Sequence, residues 1–166
     1  NTKGENRTIN ALPIETYLRG VVPRESPAEW GAAAGGAGMN ALRAQAVAAR
    51  SYSATENRYA GLARTCDSQD CQVYGGAALR EKIGRPIAVL EDIRTNTAIS
   101  DTSGFIMRNA KGGVVSTEFT SSNGGRTAGT TFPMRVDDGD IAADSSDLNW
   151  SAVIDAKSIQ KKYPSI

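Results

Sequence analysis

The order of the patterns along the chain predicts an α+β fold, with helices first and short strands later. Two amphipathic segments with helical spacing occupy the first 60 residues, and β-rich runs punctuated by Gly and Asn dominate after residue 100. At 166 residues the length suits one domain with its own core and hardly two. The expectation is therefore a single domain over residues 1–166, with N-terminal helices packed on a small, largely antiparallel sheet.

Residues 12–22 carry the first helix. Pro13 suits its opening position, and Ile14, Tyr17, Leu18, Val21 and Val22 follow the i, i+3, i+4, i+7 rhythm of a buried stripe. Pro23 should end it, because proline lacks the N–H that an interior turn needs. Residues 23–38 then read as a loop with two prolines and Trp30, of which 31–38 is a flexible Gly/Ala insertion. A longer helix should run from Asn40 to Ala60. Leu42, Ala46, Ala49 and Ser53 share one side of it, small enough for a neighbour to approach closely, while Gln45, Arg50 and Tyr52 are polar groups able to look into a cleft. Further on, Ile87–Leu90 looks like a strand and Thr95–Ile99 like a short helix. Gly104–Arg108 and Val114–Thr120 read as a hairpin joined by Asn-Ala-Lys-Gly-Gly, and Ser158–Tyr163 as a last short helix.

Composition excludes more chemistry than it suggests. Nineteen basic residues against eighteen acidic ones leave a net charge of +1, with no basic stretch to draw in nucleic acid or a membrane surface. No run approaches the roughly 18 apolar residues of a membrane span. The chain opens on Asn-Thr-Lys-Gly, without a start Met or a leader, as a mature or excised segment would. It contains no histidine at all, which removes Ser-His-Asp and Cys-His nucleophilic machinery and every His-ligated zinc site. Carboxylates, hydroxyls, Lys, Arg and the two cysteines remain. Cys66 and Cys71, five apart in a polar loop, read either as a small disulfide ring or as two free thiols.

Glu25 stands between Pro23 and Pro27, flanked by Arg24 and Ser26. A loop stiffened by two prolines can hold a carboxylate in a fixed position. If Trp30 and Val22 desolvate it, the carboxyl is kept protonated, as a general acid must be. By residue type alone it reads more readily as an ordinary surface glutamate. Glu15, mid-helix beside Tyr17, reads as a helix-surface hydrogen-bond or ion-pair partner. The stretch Ser121-Ser122-Asn123-Gly124-Gly125 offers hydroxyls and uncovered amides that suit sugar hydroxyls, or forms a plain turn. It lacks the Gly-x-Ser-x-Gly spacing of a nucleophile elbow and the Gly-Lys-Ser/Thr of a phosphate loop. Asp137, Asp138, Asp140 and Asp144 miss the spacing of a calcium loop, so a solvated acidic loop is expected there.

Taken together, five segments resemble the sporulation stage II protein D (SpoIID/LytB) family. They are Leu12-Pro-Ile-Glu-Thr-Tyr-Leu-Arg-Gly-Val-Val, Glu25-Ser-Pro with Trp30, Leu42-Arg-Ala-Gln-Ala-Val-Ala-Ala-Arg-Ser-Tyr, Cys66-Asp-Ser-Gln-Asp-Cys-Gln-Val-Tyr-Gly and Glu118-Phe-Thr-Ser-Ser-Asn-Gly-Gly-Arg-Thr. The Gly/Ala insertion resembles actinobacterial members. The resemblance implies a peptidoglycan lytic transglycosylase of the cell wall, with Glu25 as a single general acid/base. Gln45, Arg50, Tyr52, Gln72, Tyr74, Ser121, Ser122, Gly124 and Gly125 would then line the cleft and bind substrate. A single carboxyl can suffice, because the muramoyl C6 hydroxyl replaces the water that most glycosidases activate with a second carboxylate.

Two departures follow from the same comparison. Some members bind zinc at the cysteine loop through Cys and His; here Asp70 stands where the His is expected, so no zinc or other cofactor is expected and a Cys66–Cys71 disulfide becomes the better reading. The Gly-His-Gly-x-Gly-type motif of many members is also missing, which puts the fragment's catalytic completeness in question. The resemblance implies an extracytoplasmic, secreted or wall-associated location and peptidoglycan glycan strands as partner. It also leaves a second reading, a non-catalytic module that binds glycan and enhances a cell-wall amidase, and a third, a structural cell-surface domain. A monomer is expected.

Overall fold

The computed structural model describes residues 8–59, 61–129, 133–143, 148 and 150–163. The chain divides into two compact units, Asn1–Glu118 and Phe119–Ile166. The class is α+β: helices lead, and the sheet is small and antiparallel.

Among the described residues, three α-helices and a 3₁₀ helix build the first unit. Helix α1 spans Ile14–Glu25, with Pro13 as its N-cap; the Pro13 carbonyl accepts from the amides of Thr16 and Tyr17 at 3.0 Å each. Its buried stripe is Leu18, Gly20, Val21 and Val22, while Ile14 is exposed at its start. The helix does not stop at Pro23 but runs two residues further. Proline removes only the bond to the carbonyl four residues back, on exposed Arg19 where water reaches it, and the Ser26 amide still closes the last turn on Val22 O at 3.0 Å. Glu25 therefore sits on a helix end rather than in a loop.

Residues 28–36, read as part of a Gly/Ala-rich loop, form a 3₁₀ helix, Ala28–Gly36, with a kink at Ala33–Gly35. Its buried Gly31 lies against Met39, Leu42 and the Cβ of Arg94, so a side chain there has no room. Helix α2, Met39–Thr55, is the centre of the unit and stops five residues short of the expected end; Leu42, Ala46, Ala49 and Ser53 are all buried, as their spacing predicts. Their small size lets α1 and α3 come close. Helix α3, Ile93–Asp101, is longer than the expected Thr95–Ile99 because Asp92 caps it, accepting from the Arg94 amide at 2.8 Å. Leu18, Val21, Val22, Ala46, Ala49 and Ile99 make the core, with Tyr17 and Tyr74 packed on its edge. Burying each of the larger aliphatic side chains contributes roughly 1.5–3 kcal/mol.

Strands β1 (Ala78–Leu79) and β2 (Ala88–Val89) pair antiparallel, Ala78 with Val89 and Leu79 with Ala88. Both are exposed, so the apolar core is made helix on helix. The expected hairpin shrinks to one bridge, Arg108 with Val114, around a turn in which the Asn109 side chain accepts from the amides of Lys111 and Gly113. That side chain gives the backbone local partners in place of a longer ladder.

In the second unit Arg126 bridges Val136, and two short helices follow, α4 (Asp138–Ala143) and α5 (Ala156–Lys162). Asp155 caps α5. Among the residues read as an acidic loop, Asp144 lies outside the described residues. No helix of the described residues is long and apolar enough to cross a membrane.

Candidate functional site

Glu25 ends α1 half-buried, and its Oε1 accepts the main-chain N–H of Val73 at 2.8 Å. Among the described residues no ion pair reaches this carboxylate and no hydrogen bond reaches its Oε2. Val73 also lines an open depression, together with Asp67, Ser68, Gln69 and Asp70. Four of these residues belong to the ring closed by a disulfide between Cys66 and Cys71. The ring is tied internally as well, the Cys71 amide donating to Ser68 O at 3.1 Å.

Segment 72–75 is clamped at every residue. Gln72 is fully buried: its Nε2 donates to Ala49 O on α2 at 3.2 Å, and its Oε1 lies 2.7 Å from the Ser53 hydroxyl and 3.4 Å from that of Tyr17. Val73 holds Glu25. The Tyr74 ring stacks on Tyr17 with centroids 5.2 Å apart, and its hydroxyl accepts from Asn10 Nδ2 at 3.1 Å. Gly75 donates its N–H to Gly20 O at 2.9 Å, with the Arg24 guanidinium lying over it. Burial pushes the Tyr17 phenol up, against hydrogen bonds from Thr65 and Ser53 that lower it. Tyr17 is therefore neutral at ordinary pH and serves as a hydrogen-bonding, stacking side chain.

Of the residues expected to line a cleft, Glu25, Gln72 and Tyr74 come together in this clamp. Gln72, however, spends both ends of its amide on the protein and presents nothing to a ligand. Arg50 is corrected further. It is 2% exposed, and its guanidinium forks onto Glu15, with Nε and Nη2 each at 2.8 Å, and onto the carbonyls of Phe105 (3.1 Å) and Ile99 (3.2 Å). It neither orients Glu25 nor meets solvent. Arg50 holds the Glu15 carboxyl below its ordinary value, chiefly by hydrogen bonding. Tyr52 is half-buried near the end of α2, its phenol raised by burial and then by Glu56. Gln45 is half-buried, and its Nε2 has no hydrogen-bond partner among the described residues.

The Ser121–Gly125 loop belongs to the second unit. The amides of Asn123 and Gly125 are not open to a ligand: Asp140 Oδ2 accepts from both, and from the Ser122 hydroxyl, at 2.9–3.0 Å. These bonds, the Gly125 amide first, hold the Asp140 carboxyl down. Gly124 donates to Ser122 Oγ at 3.3 Å, Gly125 is buried, and Ser121 is exposed. Asp137 takes the Asn123 side chain at 2.9 Å, so two of the aspartates read as solvated are turned onto this loop.

Two comparisons bear on this arrangement. A family model described as stage II sporulation protein, SpoIID, matches residues 2–108, which carry Glu25, the disulfide ring and the clamp. The amidase enhancer of Bacillus subtilis (strain 168) is 34% identical over 110 residues, which are 66% of this chain and 12% of that protein, so the chain spans a small part of that relative's length. No solved structure matches the chain. The chain belongs to the SpoIID family of stage II sporulation proteins.

Proposed function

We propose that this chain is a peptidoglycan lytic transglycosylase domain, cleaving between N-acetylmuramic acid and N-acetylglucosamine with Glu25 as its single acid/base. The observation that carries the reading is a carboxylate pinned through one oxygen by the amide of Val73, a residue that also lines an open depression, with its other oxygen unbonded among the described residues. One oxygen fixed and one available is what a group needs to give a proton and take one back without moving. Protonated Glu25 donates to the glycosidic oxygen as the bond to muramoyl C1 breaks. The resulting carboxylate accepts the C6 hydroxyl proton while that oxygen closes on C1. The proton returns to Glu25, and no water enters. Under this reading the chain acts outside the cytoplasm, on glycan strands, as a monomer, and exposed Ser121 is free to contact sugar.

The test is incubation with purified glycan strands and mass spectrometry of the ends. Wild type should yield 1,6-anhydromuramoyl termini and Glu25→Gln none; equal, empty spectra from a folded wild type overturn the reading.

A second reading is favoured by the relative's name: a glycan-binding module that stimulates a separate cell-wall amidase. It predicts faster peptide release when the chain is added to such an amidase, undiminished in Glu25→Gln.

A further inference from the structure

We propose that Ser53 and Gln72 are positioning residues for Glu25, a role that rests on reading Glu25 as the acid/base and acts through the Val73 amide. The Val73 N–H is main chain, so its direction is set by whatever fixes the backbone on either side. On one side that is Gln72, whose side chain is anchored in the floor between α1 and α2. The Gln72 amide has two jobs there: Nε2 satisfies the Ala49 carbonyl and Oε1 takes the Ser53 hydroxyl.

Ser53 Oγ lies 2.7 Å from both Ala49 O and Gln72 Oε1. A hydroxyl has one proton and serves one acceptor fully at a time. Because Gln72 Nε2 already supplies Ala49 O, the Ser53 proton belongs with Gln72 Oε1. Tyr17 at 3.4 Å is too long to replace it. The result is a closed set of donors and acceptors, buried where an unpaired amide oxygen is costly, and this fixes the Gln72 side chain in one pose.

Ser53 is the group that turns α2 into a template. It lies three residues beyond Arg50 on the same helix, and it is 8% exposed, so it cannot act on a polymer directly. Its effect travels Ser53 to Gln72, along the backbone to Val73, and across 2.8 Å to Glu25. Without the Ser53 proton, Gln72 Oε1 loses its short donor, the side chain gains a second pose, and the Val73 amide is no longer held on Glu25.

The experiment compares Ser53→Ala, Ser53→Thr, Gln72→Met and Thr102→Val in the full 166-residue chain, isotopically labelled for amide NMR and checked for folding by circular dichroism. Thr102 is a control: a buried hydroxyl on Ala98 O, outside this chain of contacts. Ser53→Ala and Gln72→Met should move the Val73 amide proton toward its position in a Glu25→Ala reference, which removes the acceptor, and speed its exchange about 3- to 10-fold, the worth of one hydrogen bond. Ser53→Thr, which keeps the hydroxyl, should restore it; Thr102→Val should leave it in place. On glycan strands, Ser53→Ala should lower kcat roughly tenfold with KM within about twofold, short of the 100-fold that a full 1 Å misplacement costs. An unmoved Val73 amide in folded Ser53→Ala and Gln72→Met overturns the proposal, as does an equal shift in Thr102→Val. A wild type that cleaves nothing overturns the reading of Glu25 instead, and the amide measurements still decide the positioning role.

Discussion

Arg50 and Glu15 face each other fork to fork, Nε on one carboxylate oxygen and Nη2 on the other, each at 2.8 Å. The same guanidinium reaches the last turn of α3 through Ile99 O and the following segment through Phe105 O, so one buried side chain ties α1, α2 and α3 together. Replacing it leaves two carbonyls and a carboxylate without their donor. Because Glu15 stays about a third exposed, Arg50→Met should cost about 1–3 kcal/mol, the range for leaving a buried acceptor unpaired, read from urea unfolding at neutral pH. Arg50→Lys should recover little, because a point charge cannot serve four acceptors in a fixed plane.

The pH dependence of stability follows from the same pair. Glu15 is held below its ordinary value of 4.5 in the folded chain, first by hydrogen bonds from Arg50. On acidification the unfolded chain takes up this proton first. The pair's contribution is thus complete above pH 4.5 and is lost as pH falls through the folded value. Asp92, held down to about 2 by the side chain and amide of Arg94, adds a second slope between 3.8 and 2. In an acid titration of the urea midpoint, Glu15→Gln should flatten the fall below pH 4.5; an unchanged slope would show that other carboxylates govern it.

Gly20 is a buried helix glycine that the clamp requires. A Cβ there would stand 2.6 Å and 2.9 Å from Tyr74 ring carbons and 3.1 Å from the Gly76 amide nitrogen. Gly20→Ala gains up to about 1 kcal/mol of helix propensity and meets about 1–3 kcal/mol of overpacking. The expected outcome is a net loss of stability with a reduced near-ultraviolet tyrosine signal, since the ring must leave its stack on Tyr17. A stabilised variant with that signal intact would contradict the packing.

Cys66 and Cys71 close a short ring, which limits what the bond contributes. Chain-entropy arguments give about 2 kcal/mol for a loop of roughly six residues. Thiol titration of the native chain should find no reactive thiol without reductant and two with it. A Cys66→Ser/Cys71→Ser double variant should unfold about 2 kcal/mol earlier, with the helical circular dichroism signal retained.

What the sequence reveals here divides by the range of the interaction. Periodicity finds α1 and α2 and names most of their buried positions, exposed Ile14 excepted, since one face of a helix is a local property. Proline spacing singles out Glu25, although the residue stands on a helix end and not in a loop. Long-range pairings are hidden. Arg50 shows its side of α2 but not that Glu15, 35 residues earlier, lies opposite; Gln72 reads as a ligand contact until Ser53 and Ala49 are seen to occupy both ends of its amide. The Val73 contribution is invisible in principle, because an amide N–H is common to nearly every residue type. The glycine loop at 121–125 looked open because Asp140, which fills it, comes 15 residues later.

The clamp also has a kinetic meaning. Glu25 and Val73 are 48 residues apart along the chain, and the helices between them can form and dock before they meet. Ring closure at 66–71 and burial of Gln72 shorten the last search, but the pairing still closes a loop of 48 residues. Its assembly should therefore be a late event of refolding, appearing after the helical signal, so that a nascent chain carries its helices before Glu25 is pinned.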